Sequence, residues 1–185
     1  EYVNINQEKT KKEGAGHTGG RWGKRGELLY RWGNAKNYHH GDSSKQMLVG
    51  QHNIRWIEKG KPGEGHLTVF DNNVPGRNGM PFSAIYEFAP PTDKKGAYFI
   101  ENNGRFGPAK PVWTYTAPDS LSFWASFVSG AQRLNNGNTF INEGPKGRFF
   151  EVTKEGKIVW EYSEPYHGDI HEPNGDPIPA MPLVY

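Results

Sequence analysis

The chain has 185 residues, 14% of them aromatic, with 24 Gly, 14 Pro and no Cys. Its 22 basic and 20 acidic residues nearly cancel, so net charge gives no reason to expect a nucleic-acid partner. No apolar run approaches the ~18 residues of a membrane span, and the lack of Cys removes disulfides, thiolate metal ligands and a cysteine nucleophile.

Aromatic segments punctuated by Gly and Pro predict an all-β fold with little room for helix. Glu1 to Ile5 already reads as a strand, so the chain is expected to open inside a repeat unit. Glu8 to Arg25 is Gly-rich and basic. It reads either as a solvated loop or as one whose amides and cations receive an anion. Its GAGHTGG piece lacks the Lys-Ser/Thr that a phosphate cradle requires. Leu28 to Trp32 reads as a strand. His39, His40 and Asp42 follow and resemble a metal patch, but adjacent side chains on extended backbone point opposite ways, which favours simple packing. Ser43 to Val49 predicts a brief helical turn.

Eight strands come next in two sets of four. The first set is Gln51–Trp56, His66–Phe70, Ala84–Phe88 and Pro111–Tyr115. The second is Ala131–Leu134, Asn138–Asn142, Arg148–Thr153 and Lys157–Tyr162, joined by Asn135-Asn136-Gly137, Gly144-Pro145-Lys146-Gly147 and Lys154-Glu155-Gly156 turns. Asn72 to Met80 and Pro90 to Pro111 read as long polar loops that lengthen one rim. The sets match strand for strand: Phe149-Phe150-Glu151-Val152 recurs as Ile85-Tyr86-Glu87-Phe88, and Val159-Trp160-Glu161-Tyr162 as Val112-Trp113-Thr114-Tyr115. Repetition of a four-stranded meander predicts a β-propeller built of four-stranded antiparallel blades.

On that plan residues 1–33 end one blade and carry the inserted basic loop, and 34–50 connect. Residues 51–116 form a complete blade with long loops, 117–129 cross over, 130–163 form a second complete blade, and 164–185 are a Pro-rich tail. The total is about two and a half blades, whereas propellers close with roughly 4–8. Bare edge strands invite association. The rest of the ring is therefore expected from a longer polypeptide or a partner chain, with a homo-oligomer left open.

His52 falls near the start of an innermost strand, where side chains face the channel of a propeller. Arg77, on a neighbouring loop, offers a planar fork suited to sulfate, phosphate or carboxylate. Together they suit group transfer, with imidazole as nucleophile or proton shuttle and guanidinium neutralising the oxyanion. Each taken singly is also an ordinary turn or surface residue. Asp71 and Asn72 offer oxygen ligands or caps, and Asp71 leaves a Ca²⁺ site open, since loop carbonyls and one carboxylate need no spaced motif. Ser120 to Val128, which includes Trp124, reads as a packed crossover or as an aromatic wall for a phenolic ring. His167, Asp169, His171 and Glu172 look metal-like, but the surrounding prolines favour a tail lying along a neighbouring blade or partner.

Six blocks, GELLYRWGN, GQHNIRWI, GHLTVFDNN, PAKPVWTYTAP, SGAQRLNNGNTFI and GRFFEVTKEGKIVWEY, together resemble the bacterial aryl-sulfate sulfotransferase family from about His17 to Tyr162. The resemblance implies a six-bladed propeller exported to the periplasm or cell surface. It implies transfer of a sulfuryl group from an aryl sulfate to a phenol through a sulfohistidine, with no cofactor. The catalytic residues it implies are His52, Asn53 and Arg77, with His17, His66, Gln132 and Trp124 around the substrate and no metal ligands. One departure stands out. Gln51-His52 overlays Ala131-Gln132, and glutamine cannot be sulfurylated as a histidine can. If the family's sulfuryl-accepting histidine belongs in that slot, the nucleophile here is His52 or a histidine outside this stretch, and the alternative is a propeller that has lost the activity and binds a protein or glycan.

Overall fold

A computed structural model describes residues 16–19, 22–24, 26–76, 79–119 and 122–165. The chain divides into two compact units, 1–49 with 89–110, and 50–88 with 111–185.

The described part of the first unit is held by aromatic side chains rather than by a ladder. Tyr30 is fully buried, packs on Tyr98 and Phe106, and donates its hydroxyl proton to the Gly107 carbonyl at 2.6 Å. Burial pushes its phenol far above the usual range. Trp32 donates its indole N–H to Pro108 O at 2.8 Å. The expected strand Leu28–Trp32 is accordingly not a strand, and only Tyr30 within it forms a bridge. The 89–110 segment is likewise more than a rim loop, because it supplies these partners. Short 3₁₀ turns span Ala35–Tyr38 and Ser43–Lys45, each capped by the preceding Asn34 or Asp42 side chain.

The second unit is all β, with no α-helix among its described residues. Its first sheet contains β1 (Gln51–Trp56), β2 (Leu67–Val74), β3 (Phe82–Phe88) and β4 (Trp113–Tyr115) in that order. The second sheet contains β5 (Gly130–Arg133), β6 (Thr139–Glu143), β7 (Arg148–Val152) and β8 (Ile158–Ser163), again in sequence order. Every pairing is antiparallel. The β5–β6 and β7–β8 turns close on Gly137 (φ 90°) and Gly156 (φ 83°), residues that reach positive φ without steric cost.

The sheets share one core. Phe70, Ile85 and Tyr115 of the first meet Ile141, Phe150 and Val152 of the second, with Phe123 of the crossover between them. At the far end from His52, a buried charge cluster crosses the same interface. Glu87 accepts from His66 Nδ1 at 2.7 Å and pairs through its other oxygen with Arg133. The Arg133 guanidinium lies 5.1 Å over Trp113 and donates to Gly137 O.

Candidate functional site

At the other end, the starts of β1 and β5 enclose a cleft of about 560 Å³. What shapes it is a fault in β1. His52 pairs with Phe70 and Arg55 with Thr68, so Asn53 and Ile54 together oppose the single residue Val69. This is a β-bulge, and Asn53 takes the left-handed conformation (φ 49°) that asparagine tolerates. Strict alternation would send residues three apart to opposite faces. The extra residue restores the phase, and His52 and Arg55 line the same cleft.

His52 Nδ1 lies 2.6 Å from Asn72 Oδ1. Arg55 donates to Gln132 Oε1 at 2.8 Å, and among the described residues it makes no salt bridge. Its hydrogen-bond partner is a neutral amide, and Glu58 feels its charge without a salt bridge, so no carboxylate is bonded to the cation in place of an incoming anion. Asn53 rests on Gly130, where a Cβ would come within 2.6 Å of Asn53 Oδ1. Phe140 and Phe149, stacked at 6.0 Å, give the cleft an apolar wall, and Asn142 adds an amide beside them.

The approach to β5 is unusual. Val128 and Ser129 both have positive φ, 46° and 81°, a conformation that costs energy for any residue with a Cβ and most for a β-branched one. Ser129 Oγ offsets part of that cost by accepting from Gly144 N at 3.0 Å and donating to Phe127 O at 3.2 Å. Both residues line the cleft.

Of the residues singled out in the sequence, His52, Asn53 and Gln132 come together here. Arg77 lies outside the described residues, as do His167, Asp169, His171 and Glu172. His66 belongs to the Glu87 cluster at the opposite end of the strands. Trp124 donates to Asn73 Oδ1 at 3.3 Å and does not line the cleft. His17 belongs to the first unit, where it pairs with Glu27. Asp71 is fully buried and its Oδ1 accepts from the Gly50 N–H at 2.8 Å, so it acts as a backbone acceptor. His39 takes the left-handed position that ends a 3₁₀ turn, and His40 offers its carbonyl to Arg105. Arg55 is the residue that sequence reasoning missed, and Asn72, expected in a polar loop as an oxygen ligand or cap, instead sits on β2 behind His52. A positive residue three positions after the histidine was the available signal for Arg55, readable only with the bulge in hand.

A family model described as arylsulfotransferase (ASST) matches residues 26–171. No curated protein and no solved structure matches the chain significantly.

Proposed function

The chain belongs to the arylsulfotransferase family, and from that premise we propose that it is an aryl-sulfate sulfotransferase whose site is the His52–Arg55 cleft. The observation that carries this reading is an imidazole and a guanidinium on one cleft, the guanidinium held by a neutral amide. An aryl sulfate presents anionic sulfuryl oxygens, which Arg55 would hold and neutralise as charge shifts in the transition state. An imidazole nitrogen of His52 attacks sulfur, and an N–S bond forms as the aryl S–O bond breaks. The electron pair leaves with the phenolate. An acceptor phenol then attacks the same sulfur, its proton passing to the departed phenolate or to water, and the N–S pair returns to the imidazole. Sulfur keeps its oxidation state, so the exchange needs no redox partner. Asn53 offers a further amide on the cleft, and the family resemblance would add the cation of Arg77.

The same reading makes the two sheets successive blades of a propeller, six-bladed by resemblance, completed by more polypeptide or by a partner chain. It places the protein in the periplasm or outside the cell. Gln132 favours a second reading, a binding scaffold, because it occupies the slot that His52 fills in the first sheet.

Incubation with 4-nitrophenyl sulfate and phenol separates the two. Phenol-dependent release of nitrophenolate that disappears in His52→Ala is expected of the transferase. Folded protein that releases none is a scaffold.

A further inference from the structure

We propose that Asn72 is a positioning residue that fixes the tautomer of His52. Its mechanistic consequence rests on the sulfuryl-transfer reading above, while its geometry does not. Asn72 is fully buried on β2. Its Nδ2 donates to two carbonyls, Ala125 O at 2.7 Å and Val128 O at 3.0 Å. A carbonyl can only accept, so these two oxygens determine which end of the amide is nitrogen. The end facing His52 Nδ1 at 2.6 Å is therefore the oxygen, and it too can only accept. A proton must sit on Nδ1. In the neutral ring the lone pair then belongs to Nε2, the nitrogen left to attack sulfur.

The choice of amide over carboxylate has a consequence of its own. A carboxylate behind a histidine stabilises the imidazolium, as in Ser-His-Asp triads. An amide orients the ring without that charge, which suits a histidine that acts as a nucleophile through Nε2 and must stay neutral.

The device reaches into the crossover that leads to the second sheet. Both carbonyls that hold Asn72 belong to the crossover before β5, and one is that of Val128, whose left-handed backbone turns it toward the amide. Ser83 stiffens the same assembly, accepting from Ala125 N at 2.9 Å and donating to Asn72 O at 3.1 Å. The strain before β5 thus has a specific result, a fixed amide behind a fixed imidazole.

Long-range ¹H–¹⁵N correlation spectra of the intact protein test this without substrate, the His52 signals being assigned by their loss in His52→Ala. A pyridine-type shift at Nε2 and a pyrrole-type shift at Nδ1 are expected, and the reverse pattern overturns the proposal. In Asn72→Leu the tautomer preference should relax, and kcat should fall about 10–100-fold with KM changed much less. A folded Asn72→Leu protein with unchanged kcat and unchanged tautomer overturns the proposal independently. If wild-type protein transfers no sulfuryl group, the catalytic reading fails alone, because the spectra still decide the tautomer.

Discussion

The two sheets of the second unit share one strand order but end in different circumstances. Trp113 and Tyr115 stack at 6.3 Å and 17°, and Trp160 and Tyr162 at 6.4 Å and 19°. His52 pairs with Phe70 and Gln132 with Phe140, and two residues on from each phenylalanine stands an asparagine, Asn72 or Asn142. The face of the first sheet is covered by the second, which leaves Tyr115 only 4% exposed, whereas Tyr162 is 43% exposed on the corresponding face. The candidate site lies where the two sheets differ. The first sheet has a histidine and a bulge, while the second has a glutamine on a regular strand. Like sheets provide a scaffold, and the differences between them provide the candidate site.

The largest expected effect tests that covered-versus-open difference directly. Glu87 and Glu151 hold matching positions, each opposite a tryptophan. Glu87 is buried against Arg133 and His66. Glu151 is held on the open face by Asn136 and Asn138, whose hydrogen bonds lower its pKa. Glu87→Leu strands a buried guanidinium and should cost about 3–5 kcal/mol in urea denaturation. Glu151→Leu should change stability by about 0.5 kcal/mol or less. Equal costs would mean that the second face is covered as well.

The next effects concern the cleft. Arg55→Leu should lower kcat about 10²–10³-fold, the loss of one group that stabilises transition-state charge. Gln132→Leu removes only the amide that positions Arg55. A hydrogen bond to a charged group is worth about 1.5–3 kcal/mol, so kcat/KM should drop about 10–100-fold. Were Gln132→Leu the more damaging of the two, the amide itself would touch the substrate.

The sequence made the strands legible and the site only half so. All eight strands of the second unit fall where alternation and Gly-containing turns put them, within one or two residues at most ends, because edge-to-edge pairing on short turns leaves a local pattern. Leu28–Trp32 has the same strand-like composition, yet its rings are satisfied by Gly107 and Pro108, far along the chain. Nothing local announces that. His52 was visible as a polar residue on an inner strand. Arg55 was hidden by a bulge that reverses the alternation on which such reasoning depends. Asn72 was visible only as an oxygen ligand or cap, and its role was hidden by burial, since that role lies in three partners distributed over β1 and the crossover.

The smallest effect contrasts the entries to the two sheets. Leu48-Val49-Gly50 enters β1 without positive φ at Val49, whereas Val128-Ser129-Gly130 enters β5 with positive φ at both of its first two residues. Left-handed backbone costs an L-residue about 1–2 kcal/mol, and glycine's extra freedom in the unfolded chain costs about 0.5–1 kcal/mol. Val128→Gly should therefore stabilise the protein by about 1 kcal/mol or less in thermal or urea unfolding. Activity should move the other way, falling about tenfold or less as the Val128 carbonyl loosens its hold on Asn72 and the imidazole wanders from its attacking geometry. A gain in stability with no loss of rate would make the strained turn an accident of the crossover. A gain in stability at the expense of rate would mean that the strain is retained because the histidine needs it.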